Sequence, residues 1–177
     1  MDLLTSKQQN IDRRAAEVMA AYPTLWSYMI TEWHQPGSED RAWLMYSANY
    51  LFRTANVHWA IDPLRLKRRL PNASEMSARE LKDLVFILLT HQHGDRFDLG
   101  LLRQLQDFPI LWIVPAPVLE AIQAKVQMPA GRLIVPETME KIEIRRIRII
   151  PSAGSHWEKQ AGTESLRAPR PGDGISA

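Results

Sequence analysis

The chain has 177 residues, 45% of them hydrophobic and 24% charged, with 12 Pro, 8 Gly and no Cys. That length suits one domain with attached pieces, able to bury roughly 70% of its unfolded surface, and the composition excludes collagen-like, coiled-coil and wholly disordered architectures. Without cysteine there is no disulfide framework, thiolate metal site or cysteine nucleophile, so any metal must be held by His, Asp or Glu.

Twenty-two Lys and Arg against twenty Asp and Glu leave a net charge of +2, too small an excess to argue for nucleic acid as a partner. The longest purely apolar run, Leu84 to Leu89, is too short to cross a bilayer. The opening MDLLTSKQQNIDRR lacks the apolar core of a signal peptide, which predicts a cytoplasmic protein with no membrane partner.

Residues 1–41 read as a helical N-terminal extension. Ile11, Ala15, Val18, Met19 and Tyr22 recur at helical spacing between Ser6 and Tyr22, and Pro23 is expected to end that helix. The Trp- and Tyr-rich stretch from Leu25 to Trp33 is expected to pack the extension onto the core, before a turn at Gln35-Pro36-Gly37-Ser38.

From residue 42 the texture changes to strands at Trp43–Tyr46, Tyr50–Thr54 and Val57–Ile61, with Ala55-Asn56 as a hairpin turn. Arg65, Lys67, Arg68 and Arg69 form the densest basic cluster, read as a solvated face in preference to a phosphate-binding patch. Ser77 and Glu80 make a capping box for a short helix over Ala78–Leu84, and the apolar run Val85–Leu89 has the pattern of a strand buried on both faces.

Asp98 is placed to cap a helix with Leu99, Leu102 and Leu105 inward. Then come a strand at Ile110–Val114, a helix at Pro117–Val126, a strand at Leu133–Val135, and a β segment at Ile142–Ile150 whose alternation slips phase, as a bulge or tight turn would cause. This alternation predicts an α/β fold. Residues 159–177, almost without apolar side chains, are expected to form a disordered tail.

One constellation carries chemistry. His91, Gln92, His93, Gly94 and Asp95 follow the most apolar strand, at the strand end where α/β sheets bind ligands. In an extended segment His91 and His93 project to one side, and Gly94 permits a turn that brings Asp95 towards the same ion. Two imidazoles and a carboxylate on one strand end are the start of a zinc-type hydrolytic site. His34 and His58 are read as packing or surface residues.

Thr90-His91-Gln92-His93-Gly94-Asp95 resembles the hallmark of the metallo-β-lactamase superfamily, a buried strand ending in Thr-His-x-His-x-Asp-His. Tyr50 to Pro63 looks like that family's early hairpin, with Asp62 at its strand end, and Ser152 to Trp157 looks like the strand end supplying a third histidine, His156. The resemblance covers roughly residues 42–158. It implies an αββα sandwich, of which this chain would hold the N-terminal half, truncated before the second. The last histidine ligand is absent, Arg96 stands where the family has a second-site histidine, and Asp173 is only a faint echo of the bridging aspartate.

The resemblance also implies a metal set of His91, His93, Asp95 and His156, holding zinc as one or two ions, with manganese or iron as other candidates. Asp95 would take the catalytic role of orienting the attacking water. The expected function is a metal-dependent hydrolase using metal-activated water on an ester, lactone or phosphodiester bond of a small-molecule substrate. The alternative is a non-catalytic remnant that pairs, as a homodimer or with a relative, through the uncovered inner face of its sheet. A third reading, a ribonuclease-like nucleic-acid processor, rests only on the Arg65–Arg69 cluster.

Overall fold

The structure, a computed structural model, describes residues 3–65, 78–92, 97–128 and 130–152. Its elements are helix α1 (Leu3–His34), strands β1 (Arg41–Leu44), β2 (Tyr50–Thr54) and β3 (Val57–Ile61), a 3-10 turn at Ala78–Leu81, and β4 (Phe86–Leu88). They continue with α2 (Leu99–Leu105), β5 (Leu111–Ile113), α3 (Ala116–Gln123), β6 (Leu133–Ile134), β7 (Ile142–Ile144) and β8 (Ile147–Ile149). This is a mixed α/β architecture, as the alternating sequence pattern predicts.

The first six strands form one sheet in chain order, antiparallel from β1 to β3 and parallel from β3 to β6. The β2–β3 hairpin turns through Ala55 and Asn56, both at positive φ (49° and 59°), the pair of left-handed residues that matches strand twist in a two-residue hairpin. Parallel neighbours need crossovers, and those leading to β5 and β6 run through α2 and α3.

All the helices gather on one face. There Trp26, Met29, Ile30 and Trp33 of α1, Leu101, Leu102 and Leu105 of α2, and Val118 and Ile122 of α3 close over Leu51, Ala60, Ile87 and Trp112 of the sheet. Asp98 caps α2 by accepting from the N–H groups of Gly100 and Leu101, and Arg132 donates to the carbonyls of Gln106 and Phe108 just past its C-terminus.

Helix α1 differs from expectation. It runs straight through Pro23 to His34. The burial of Trp26, Met29, Ile30 and Trp33 at i, i+3, i+4 and i+7 gives the segment after Pro23 a tertiary reason to stay helical, which outweighs one missing N–H donor. Before Pro23 the stripe divides: Ile11 and Val18 are 51% and 54% exposed, whereas Met19 and Tyr22 pack against the core. The Trp-rich stretch does pack α1 onto the core, and Trp33 donates its indole N–H to the carbonyl of Phe52 at 3.0 Å.

The opposite face of the sheet was expected to lie open. Instead β7 and β8 form a separate antiparallel hairpin whose Ile144 and Ile147 pack with Val57, Phe86 and Ile113. The slip in alternation is the tight turn Arg145-Arg146, with Arg145 at φ 55°. Beyond the hairpin the same face carries an aromatic ladder. Phe52 stacks on Trp59 at 4.0 Å between centroids and Trp59 on Phe86 at 5.2 Å, with Phe52 and Trp59 half-buried.

Candidate metal centre

The candidate site starts at the C-terminal ends of two adjacent parallel strands. Chain pairing Ile61 with Leu88 brings Asp62 beside Thr90, and Asp62 N–H donates to the Leu88 carbonyl at 2.9 Å. Asp62 is fully buried and holds a left-handed backbone, φ 45°, which costs an aspartate free energy unless its surroundings fix it. Buried Asn49 helps to fix it, donating from Nδ2 to the Asp62 carbonyl at 2.7 Å.

With its backbone so held, the Asp62 carboxylate accepts twice from one residue. Thr90 donates its backbone N–H to Oδ1 at 2.7 Å and its hydroxyl to Oδ2 at 2.5 Å. The Thr90 hydroxyl has one proton, and Asp62 takes it. At 2.8 Å from His91 Nδ1, Thr90 Oγ1 must therefore act as acceptor, so Nδ1 carries the imidazole proton. In a neutral ring this assigns the lone pair to Nε2. The carboxylate–hydroxyl–imidazole chain thus fixes a ligand-competent tautomer, as outer-shell partners of metal-binding histidines do.

A second anchor flanks the first. Asp98 is buried and accepts from Arg65 Nε and Nη2, both at 2.9 Å, from the Arg65 backbone N–H at 3.1 Å, and from the N–H groups of Gly100 and Leu101. Burial favours its neutral form, but the Arg65 and backbone donors and the Arg65 charge outweigh it and hold the carboxyl below its ordinary range. This bidentate pair clamps the segment after β3 to the residue that caps α2. Arg65 is therefore not part of a freely solvated basic face, as the sequence reading had it. Lys67, Arg68 and Arg69 lie outside the described residues.

Of the expected ligands, the structure places His91, half-buried at the strand end. His93, Asp95 and His156 lie outside the described residues, as do Arg96 and Asp173. Among the described residues no group of three or more His, Asp or Glu side chains is placed to hold a metal, and no helix is long and apolar enough to cross a membrane. Two participants escaped the sequence reading. Thr90 was only a motif letter, and Asp98 only a helix cap; the signal for both was a polar residue directly bordering an apolar run.

A scan against protein-family models and a search of curated proteins find no match to this chain.

Proposed function

We propose that the chain is a metal-dependent hydrolase of the metallo-β-lactamase type, its sheet and helices forming the N-terminal half of an αββα sandwich. The carrying observation is the Asp62–Thr90–His91 chain, which sets His91 to offer Nε2 from the C-terminal end of a buried parallel strand. That donor fits zinc, a borderline ion that accepts neutral imidazole. His91, His93 and His156 would hold it, with Asp95 beside it to orient a water molecule. When bound, zinc lowers the pKa of water and polarises a carbonyl or phosphoryl oxygen. The chain's own residues do the rest: Asp62 and Thr90 hold the His91 ring and its proton in place, and the Arg65–Asp98 clamp holds the segment after β3 to the cap of α2.

The test is zinc affinity and hydrolysis of ester, lactone and phosphodiester probes by the parent and by His91→Ala. The reading expects both properties in the parent and their loss in the variant. Equal behaviour of the two would reject it. The competing reading, a non-catalytic pairing module, draws on the half-buried Phe52–Trp59 ladder and on Leu44, which is 54% exposed on β1. It expects zinc-independent dimers in sedimentation equilibrium.

A further inference from the structure

At the other end of β3 a second concavity opens, about 13 Å from Asp62 by the rise of four strand residues. It is open to solvent, has a volume of about 540 Å³ and is lined by His34, Ser38, Arg53, Asn56 and His58, among others. Its volume falls in the range of small-molecule pockets.

Arg53 gives this pocket its character. Its residue is only 3% exposed, yet among the described residues no carboxylate forms an ion pair with it. Nη1 donates to the backbone carbonyls of Glu32 and Gln35, Nε is buried without a hydrogen-bond partner, and the guanidinium carbon lies 5.6 Å from the Trp43 ring centroid. The chain crosses close over it: a Cβ on Gly37 would sit 2.7 Å from Nη2, so a larger residue there would push the guanidinium aside. Carbonyl dipoles and an indole face soften a buried cation but do not neutralise it; buried charges call for a counter-charge.

Two imidazoles stand beside it, 6.3 Å apart between centroids. His34 Nδ1 is 3.1 Å from Asp83, and His58 Nε2 is 2.7 Å from the Trp33 carbonyl, so each ring has one nitrogen anchored and a second for a further proton. Burial holds His58 below its ordinary value, with His34 and Arg53 adding to that, against the Trp33 carbonyl and the Asp83 carboxylate, which pull it up. One fixed cation, with two ring nitrogens and the neutral polar groups of Ser38 and Asn56 lining the same concavity, suits a small oxyanion.

We propose that this pocket binds the phosphate group of a small phosphomonoester: Arg53 supplies the fixed charge, and His34, His58, Ser38 and Asn56 supply hydrogen bonds. The proposal does not rest on the metal-centre reading, because the two sites share no residue.

The test is calorimetric titration at constant ionic strength with inorganic phosphate and with glycerol 3-phosphate, on the parent, Arg53→Gln, Ser38→Asp and His91→Ala. The expected result is saturable 1:1 binding of both probes. Ser38→Asp, an exposed position that should not disturb folding, supplies a competing carboxylate and weakens binding about tenfold or more. Arg53→Gln, if folded, abolishes it, and His91→Ala leaves it unchanged. No saturable binding would overturn the proposal. So would binding that survives Ser38→Asp intact, or that His91→Ala removes, since the phosphate would then sit at the metal centre.

Discussion

The two ends of β3 carry opposite solutions to the same problem. At its C-terminal end Asp62 buries a negative charge and spends it inside the protein, on both donors of Thr90 and through them on the His91 ring. At its N-terminal side Arg53, on the paired strand β2, buries a positive charge that, among the described residues, meets only backbone carbonyls and the face of Trp43. The first arrangement is closed and positions a neighbour; the second is electrically open and invites a ligand. A buried ion is thus a structural device or a binding device according to what the fold places around it.

The largest expected effect lies in the clamp beside the first site. Asp98→Ala removes the buried carboxylate to which Arg65 and two N–H groups at the start of α2 donate, and is expected to cost about 3 kcal/mol. Urea unfolding should show this as a lower midpoint with an unchanged slope. A cost near zero would mean that the Arg65–Asp98 pair contributes no net stability.

Next comes the tautomer. Asp62→Asn keeps the shape and tolerates the left-handed backbone, but an amide NH2 facing Thr90 reverses that hydrogen bond. Thr90 Oγ1 then donates to His91 Nδ1, the imidazole proton moves to Nε2, and the lone pair is turned away from the candidate centre. Zinc affinity should fall by about 10- to 100-fold with folding retained. An unchanged affinity would break the proposed chain of control.

Acid separates the two ends more gently. The folded pKa of His58 lies below its ordinary 6.5, so the unfolded chain binds the proton first, and stability is lost as the pH falls below about 6.5 towards the folded value. The folded pKa of Asp98 is also depressed, so its contribution is present above its ordinary 3.8 and lost as the pH falls through the folded value. Thermal unfolding across pH should show two descents. His58→Gln, able to keep a donor towards the Trp33 carbonyl, should flatten only the upper one. If it also flattens the lower one, the two regions are coupled.

How much of this was legible depended on sequence distance. The hairpin Tyr50–Thr54 and Val57–Ile61 was read to its boundaries because alternation and a two-residue turn are local signals. Helix α1 was misread at Pro23 because the proline rule is local, whereas the force carrying the helix onward is the packing of Trp26 and Trp33 on a distant sheet. Asp98 was legible as a cap two and three residues before its N–H donors. Its pairing with Arg65 spans 33 residues and needed the tertiary fold. The roles of Thr90 and Arg53 were hidden for the same reason, since each depends on which strand lies alongside.

The most direct test of the metal-centre account is zinc content per chain on gently purified protein, measured beside His91→Ala. The account predicts about one zinc in the parent and none in the variant. No zinc in the parent, or equal zinc in both, would contradict it.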